Sequence, residues 1–277
     1  MKIDFIISVR DRENERVQRC INSLKSKLTG SIIVVDYGSK KPVKVKGCKI
    51  IRVKNKKTKV WNKSHALNIG IKKCTSEFIA TVDCDICLGK KFLGKCRKYL
   101  KKDSFIYSRF VRRIVGEVFD WNVSEKKIES ISTDWLGQNQ GLAHLAVGGI
   151  QIFPKWWIEE IHGYDENLIY WGGIDNDIHE RAMRTGLIIV DLNELIFHQE
   201  HENIKEKNLD TDEEIKYAMA ERGKRRFYLI YKWQNNVNIG PKIWGEFGNP
   251  QQNEINFHYA NKRPNIEEEK KDETKEE

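Results

Sequence analysis

Phe78-Ile-Ala-Thr-Val-Asp-Cys-Asp85 joins a largely apolar run to two acidic residues. The run has the continuous apolar character of a strand that is covered on both faces. Asp83 stands where this strand ends, and Asp85 follows two residues later. Because residues two apart in an extended chain point to the same side, the two carboxylates are predicted to face one ligand. Carboxylate oxygens hold hard divalent cations, so the stretch indicates a metal site.

Strands and helices alternate on the amino-terminal side of this stretch. Residues 3–9, 32–36 and 49–53 have strand character, and apolar residues recur at helical spacing over 17–28 and 62–73. This rhythm predicts an α/β fold of the Rossmann-like type, with a mostly parallel central sheet flanked by helices. Ligands of such sheets bind beyond the carboxyl ends of the strands, where Asp36 and Asp83 are both expected.

The carboxyl-terminal half has a less regular pattern. Strands are predicted at 147–153, 187–191 and 195–198, and helices at 174–184 and 213–232. Residues 108–145 have no clear period and are interpreted as an insertion that shapes an acceptor site. We therefore expect one domain over 1–235, with a nucleotide-binding half (1–107) and an acceptor-binding half (108–235). A C-terminal extension (236–263) and a charged, disordered tail (264–277) are predicted to follow.

The chain is basic, with a formal net charge of +9 over 277 residues. Its tail is acidic, so the residues before the tail carry a larger positive charge than the whole chain. A positive body favours an anionic partner such as a nucleotide diphosphate or an anionic membrane. Ten basic residues fall between Lys40 and Lys59, either as a solvated surface or as a membrane contact. No aromatic residue interleaves with them, which argues against a nucleic-acid-binding module.

Six scattered cysteines and an N-terminus that begins directly with a strand pattern favour a reducing cytoplasm, with peripheral membrane contact as an alternative. Cys84 and Cys87 have the spacing of half a zinc site, but no second pair completes it.

Tyr170-Trp-Gly-Gly-Ile-Asp-Asn-Asp177 is a second chemical feature. Its glycines permit close approach of the backbone to a ligand, and an aromatic ring such as that of Trp171 suits the face of a sugar. Asp175 is predicted at the start of a helix, where free N–H groups favour a carboxylate. Asp175 or Asp177 is therefore either a functional carboxylate or a helix cap.

His198-Gln-Glu-His201 is a third feature, next to a predicted strand. Either histidine, added to the two aspartates, gives a ligand set that suits Mn²⁺ as well as Mg²⁺.

Taken together, these motifs resemble those of inverting glycosyltransferases of the GT-A fold, in the group that is similar to family 2, the beta-1,4-galactosyltransferases and the chondroitin polymerases. On the nucleotide side, Ser8-Val-Arg-Asp-Arg12 is similar to the motif whose arginines touch the nucleotide. Asp36 resembles the aspartate that contacts uracil, and residues 61–70 resemble the segment that closes over the nucleotide. The resemblance implies donor binding by Arg10, Arg12, Asp36, Trp61, Lys63, Asp83, Gly149 and Trp171.

On the acceptor side, residues 148–154, 163–166 and 171–175 resemble the acceptor block of the group, and the catalytic base of the group falls on Asp175. The metal ligands fall on Asp83, Asp85 and either His198 or His201, with His198 preferred. Two departures matter. Family 2 often has two aspartates where Asp36-Tyr37 stands, which bears on the contacts to the nucleotide base, and Ile174 stands where the galactosyltransferases carry an acid that helps to hold the acceptor.

The resemblance implies a metal-dependent inverting transfer of a hexose or N-acetylhexosamine from a UDP-sugar to a hydroxyl of a glycan or glycoconjugate, with Mn²⁺ or Mg²⁺ as cofactor. A nucleotidyltransferase that acts on sugar phosphates shares the sheet and the metal carboxylates, but it does not account for the Trp-Gly-Gly-x-Asp block. A basic nucleic-acid-binding protein without enzymatic activity is the other alternative.

Overall fold

The structure is a computed structural model that describes residues 1–53, 61–109, 111–114, 132–135, 147–170, 172–199, 228–240 and 244 of the chain. The strands are β1 (Ile3–Val9), β2 (Thr29–Tyr37), β3 (Lys49–Val53), β4 (Phe78–Asp83), β5 (Ile86–Leu88), β6 (Ser104–Tyr107), β7 (Val111–Ile114), β8 (Ser132–Trp135), β9 (Ile150–Pro154), β10 (Ile188–Asp191) and β11 (Ile196–Gln199). The helices are α1 (Asn14–Ser23), α2 (Lys63–Ile71), α3 (Phe92–Cys96), α4 (Lys155–Glu160) and α5 (Ile174–Arg184), and residues 228–234 are also helical.

Seven strands form a central sheet in the order β10-β6-β9-β4-β1-β2-β3. All neighbours are parallel except β9, which runs antiparallel to both β4 and β6. The carboxyl ends of β1, β2 and β4 and the first residue of β9 therefore meet at one edge. A smaller sheet of four strands, in the order β5-β11-β7-β8, lies beyond the end of β4. The predicted α/β fold with a mostly parallel central sheet is confirmed.

Both faces of the central sheet are covered. Alternate residues of β1 point to opposite sides, so that Phe5 and Ile7 pack with α1 in one core while Ile6 packs with α2 in the other. Helices α4 and α5 cover the second side as well, through Trp157 and Ile178. Burial on two faces is the physical reason why these strands are nearly continuous in apolar residues.

Several predicted boundaries move in the structure. Strand β9 begins at Ile150 instead of residue 147, since Gly149 has a φ of 86°, which is outside the range of a strand. Cys84 and Asp85 form a turn between β4 and β5, so the expectation of an extended chain through both aspartates is wrong. Strand β11 runs over Ile196–Gln199, one residue later than the predicted 195–198, and it includes His198. Most of the predicted insertion, residues 213–227 of the predicted helix 213–232, and the predicted tail lie outside the described residues.

No helix in the described part of the chain is both long and apolar enough to cross a bilayer.

The six cysteines are free thiols, and five of them are buried, with Cys48 half-exposed. Burial raises the pKa of every one of them, to about 12 for Cys74, Cys84 and Cys96. Because the thiolate is the reactive form, we expect iodoacetamide to label Cys48 alone in the native protein and all six in denaturant, as read by mass spectrometry. Rapid native labelling of Cys84 would show that the β4–β5 turn is not packed as the structure has it.

Candidate active site

A small cleft opens at the carboxyl edge of the sheet, between the end of β4, the start of β9 and the first turns of α2 and α5. Its lining consists of Lys63, Leu67, Thr81, Val82, Asp83, Gly149, Ile150, Gln151 and Asp175. Four of the residues predicted for donor binding and catalysis are therefore brought together by the fold: Lys63, Asp83, Gly149 and Asp175.

Lys63 connects the two carboxylates of this cleft. Its Nζ donates to Asp83 Oδ1 at 2.6 Å and to Asp175 Oδ1 at 3.2 Å. The Lys63 side chain is only 15% exposed, whereas Asp83 is 35% and Asp175 27% exposed. The ammonium group thus lies beneath two carboxylates whose outer sides remain open to a ligand.

The position of Lys63 follows from the way α2 is fixed. Asn62 precedes the helix, and its side-chain oxygen accepts from the backbone N–H of His65 at 2.9 Å. The amide nitrogen of Asn62 donates to the Glu166 carbonyl at 2.8 Å, which ties the helix start to the acceptor block. Gly70 allows close approach to β1, because a Cβ there would lie 2.5 Å from Ile6 Cγ2.

Asp175 is the second residue of α5, which begins after Gly173 without a side-chain cap. The helix-cap interpretation of Asp175 is therefore wrong. Gln151 Nε2 donates to the Asp175 carbonyl at 2.9 Å, and Tyr164 OH donates to Gln151 Oε1 at 3.0 Å. Gly148 leaves room for the carboxylate, since a Cβ there would lie 3.0 Å from Asp175 Oδ2.

Asp177 has a different environment from Asp175. It is 1% exposed, receives a hydrogen bond from Lys232 Nζ at 2.8 Å, and lies 3.1 Å from Arg181 Nε. Lys232 also donates to Asp165 at 2.7 Å. Asp177 therefore belongs to a buried charge cluster that holds residues 228–234 against α5, and it neither caps the helix nor faces the cleft.

Burial and neighbouring charges shift the pKa values of both Asp83 and Lys63. Burial raises the pKa of Asp83 to about 6, with Asp175 and Asp85 adding to the shift and Lys63 opposing it. For Lys63, burial acts to lower the pKa, but the charges of Asp175 and Asp83 outweigh it and raise the pKa above the ordinary value. Lys63 is therefore a permanent cation at neutral pH.

Asp85 and His198 form a second pair next to this cleft. Asp85 Oδ2 and His198 Nε2 are 3.7 Å apart, with side chains 14% and 23% exposed. Gln199, the neighbour of His198, donates its backbone N–H to the Asp85 carbonyl at 2.8 Å, and its side chain accepts from Arg19 Nε at 2.6 Å. The first contact fixes β11 against the turn that carries Asp85, and the second ties β11 to α1.

A carboxylate oxygen and an imidazole nitrogen at this distance suit a divalent ion such as Mn²⁺. Within the described residues, no group of three or more His, Cys, Asp or Glu side chains surrounds a single point. Asp83 is instead held by Lys63. The Asp85–His198 pair thus fits a cation that takes its other ligands from water and a diphosphate, as Mg²⁺ commonly does.

The nucleotide side predicted from the sequence lies at the ends of β1 and β2. Asp36 is fully buried, accepts from the backbone N–H groups of Ser39 and Val43, and lies 3.4 Å from Arg52 Nη1. The Asp36 carboxylate thus fixes the loop after β2 from the protein interior. The sequence around Asp36 does not indicate its contact with Arg52. Arg10 and Arg12 are half-buried in the turn that follows β1.

Trp61 packs edge-on against Tyr37, with ring centroids 5.6 Å apart. Its carbonyl accepts from the backbone N–H of Tyr170 at 2.7 Å, so the nucleotide side and the acceptor block are directly linked. Trp171 and His201 lie outside the described residues.

Sequence reasoning missed three positioning residues, Gln151, Tyr164 and Gln199. Gln151 carries a usable signal, because it is a polar residue inside the apolar strand Ile150-Gln-Ile-Phe153, and a buried polar side chain requires a partner.

A mostly parallel sheet with one antiparallel strand, and with acidic residues at its carboxyl edge, is the architecture of a GT-A glycosyltransferase. Residues 4–161, more than half of the chain, match the family model of glycosyl transferase family 2. The chain therefore belongs to glycosyl transferase family 2, and its α/β domain is a glycosyltransferase domain. Residues 142–202 match the model described as the N-terminal domain of galactosyltransferase.

Two solved structures are similar to the chain. The crystal structure of GalNAc-T7 with UDP, GalNAc and Mn²⁺ is 13% identical, with a TM-score of 0.54, over 96% of this chain and 60% of that chain. The catalytic domain of Drosophila beta1,4galactosyltransferase 7 in complex with xylobiose is 15% identical, with a TM-score of 0.47, over 74% of this chain and 72% of that chain. This chain thus spans less than two thirds of the GalNAc-T7 chain, and the likeness concerns the fold. Among curated proteins, none matches in sequence.

Proposed function

We propose that the enzyme transfers a hexose or N-acetylhexosamine from a UDP-sugar to a hydroxyl of a glycan or glycoconjugate, with inversion and with dependence on Mn²⁺ or Mg²⁺. The observation that carries this proposal is the linkage of Asp175 to Asp83 through Lys63, which places a carboxylate of the acceptor block beside the acidic end of β4. The GalNAc-T7 structure, which shares the fold, holds UDP, GalNAc and Mn²⁺.

Asp175 is the proposed general base. As the acceptor oxygen forms its bond to the anomeric carbon, the bond from that carbon to the UDP oxygen breaks, and the hydroxyl proton passes to the Asp175 carboxylate. One displacement inverts the anomeric centre. The Lys63 ammonium lies 3.2 Å from Asp175 Oδ1 and helps to hold the carboxylate at the cleft.

Asp85 and His198 are the proposed ligands of the divalent ion. When bound, the ion supplies positive charge that stabilises the departing diphosphate. Lys63 lines the cleft and is proposed to add a second positive charge near the donor.

Arg10, Arg12, Asp36 and Trp61 are proposed to bind the nucleotide. The internal contacts of Asp36 imply that it acts mainly by holding the loop after β2 in place, with the two half-buried arginines supplying charge toward the phosphates.

Acceptor recognition is proposed to differ from that of the galactosyltransferases. Ile174, which stands in place of their acid, is 1% exposed and packs in the core on the α2 side of the sheet. An apolar, buried residue offers no hydrogen bond to a sugar hydroxyl. We propose that other groups around residues 170–173 contact the acceptor.

The donor is identified by measuring UDP release across a panel of UDP-sugars, with and without Mn²⁺ or Mg²⁺ and without any added acceptor. Turnover of one UDP-sugar that stops in chelator supports the proposal. Turnover of a sugar phosphate with a nucleoside triphosphate, and of no UDP-sugar, would identify a nucleotidyltransferase instead.

Asp85→Ala and His198→Ala are each expected to weaken Mn²⁺ binding in the presence of UDP by at least about tenfold, because each removes one proposed protein ligand. Titration calorimetry gives the affinity, and transfer should fall in parallel. Asp103→Ala is the matched control, since it removes an exposed carboxylate from the opposite end of the sheet. Unchanged Mn²⁺ affinity in both site variants would disprove the assigned ligands.

A further inference from the structure

The end of the central sheet that lies opposite the cleft forms one continuous surface. The parallel strands β1, β2, β4, β6 and β10 begin there, and the antiparallel strand β9 ends there. We name this surface the amino-end face, and it consists of residues 1–2, 25–28, 72–77, 97–103, 155–156 and 188.

Hydrogen bonds join the segments of the amino-end face to one another. Lys2 Nζ donates to the Lys27 carbonyl at 2.8 Å, and the backbone N–H of Lys155 donates to the Glu77 carbonyl at 2.8 Å. Beneath them, the buried Asp4 accepts from the backbone N–H groups of Ser31, Thr75 and Ser76, which ties the starts of β2 and β4 together. The surface is therefore rigid and not a set of independent loops.

The amino-end face is strongly basic. Its segments contain ten lysine or arginine residues and only two acidic residues, Glu77 and Asp103. Six of the lysines are exposed and form no ion pair within the part of the chain that the structure describes: Lys25, Lys27, Lys73, Lys98, Lys101 and Lys102. The catalytic cleft lies at the other end of the sheet, so these charges serve no proposed step of the transfer.

Large apolar groups lie among these lysines. Tyr99 and Trp156 are each 43% exposed, and Ile188 is 50% exposed. Trp156 Nε1 donates to the Lys102 carbonyl at 2.8 Å, which fixes the indole beside the lysines. The backbone N–H of Ile188 donates to the Asp103 carbonyl at 2.8 Å, so the isoleucine belongs to the same patch.

We propose that the amino-end face docks on an anionic lipid bilayer. Lysines near the surface attract anionic headgroups, and tryptophan and tyrosine favour the level of the headgroups. The exposed isoleucine favours lipid over nucleic acid, because an aliphatic side chain has no ring for stacking on a base. Docking in this orientation turns the catalytic cleft away from the bilayer, toward acceptor hydroxyls that extend beyond the headgroups.

Lys101→Gln/Lys102→Gln tests the proposal in a sedimentation assay with vesicles of phosphatidylcholine and phosphatidylserine. Each lysine near the surface contributes about fivefold to partitioning, so the double variant should bind about thirtyfold more weakly. Arginine at both positions should restore binding. Trp156→Gln should weaken binding while both lysines remain, and vesicles of phosphatidylcholine alone should bind none of these proteins strongly.

Lys41→Gln/Lys44→Gln is the matched control, since it removes two exposed lysines of the basic 40–59 run at the other end of β2. We expect it to bind vesicles as the unmodified protein does. Loss of vesicle binding in this control and not in the Lys101/Lys102 variant would overturn the proposal, as would tight salt-sensitive binding to duplex DNA with no binding to vesicles. UDP release by the Lys101/Lys102 variant should equal that of the unmodified protein, which separates this test from that of the transfer activity.

Discussion

Asp175→Asn is expected to reduce sugar transfer by about 10²–10⁴-fold, because the amide cannot take the proton of the acceptor hydroxyl. The substitution preserves shape, and Asp175 forms no helix cap whose loss would destabilise the protein. UDP affinity and melting temperature should therefore change little. The measurement is transfer rate, UDP affinity and melting temperature on a single preparation.

Asp177→Asn is the matched control on the same helix. Asp177 is buried with Lys232 and Arg181, so its substitution should lower the melting temperature while the remaining folded enzyme still transfers sugar. Asp175→Asn is thus expected to lose transfer and keep its melting temperature, whereas Asp177→Asn is expected to keep transfer and lose stability. Near-normal transfer by Asp175→Asn would remove Asp175 from the chemistry, and loss of stability in that variant would show that its carboxylate is structural.

The fold could be predicted largely from the sequence, because its signals are local. The sequence predicts strand β1 over its observed range, 3–9, because a strand buried on both faces is almost continuously apolar. The sequence likewise predicts helix α5 over its observed range, 174–184, because Gly186 stands just past its end. The start of β9 was misplaced, because apolar content alone does not reveal that Gly149 has a positive φ.

The sequence identifies several residues of the candidate site, but it does not predict how these residues are arranged in space. Asp83, Asp85, Asp175 and His198 carry recognisable motifs. No motif indicates which of these side chains contact one another or Lys63. Lys63 and Asp175, for example, are in contact although they are 112 residues apart in the chain. Because of the turn after β4, the two aspartates have different partners. Asp83 contacts Lys63, and Asp85 contacts His198. Contacts between distant segments depend on packing, which a local pattern does not encode.

Lys232→Met is expected to destabilise the folded protein by about 3–5 kcal/mol, because it leaves buried carboxylates without their cation. Lys232 is 2% exposed, and its Nζ donates to Asp165 Oδ2 at 2.7 Å and to Asp177 Oδ1 at 2.8 Å. Methionine keeps the length of the side chain but offers no hydrogen bond. At about 2–4 °C per kcal/mol for a domain of this size, the melting temperature should fall by roughly 6–20 °C.

Tyr231→Gln is the matched control for the helical residues 228–234, because Tyr231 is 52% exposed. It should change the melting temperature by much less than Lys232→Met. Adding Asp165→Asn to Lys232→Met should recover part of the lost stability, since the amide keeps a hydrogen bond to Tyr228 without a buried charge. If the double variant were less stable than Lys232→Met, the loss would come from packing and not from charge.

The pH dependence of the stability of Lys232→Met tests independently whether Asp165 is the group left without its partner. Burial acts to raise the pKa of Asp165, but Lys232 and the hydrogen bond from Tyr228 outweigh it and hold the pKa at about 2 in the intact protein. Ionised Asp165 therefore stabilises the intact fold above about pH 4, and this contribution is lost as the pH falls toward 2. Without Lys232, burial should raise the pKa of Asp165 above its unfolded value, so protonation should favour the folded state. The stability difference between Lys232→Met and the intact protein, measured by urea unfolding, should thus shrink from pH 7 to about pH 4. A difference that stayed constant over this range would show that Asp165 is not the group left unpaired.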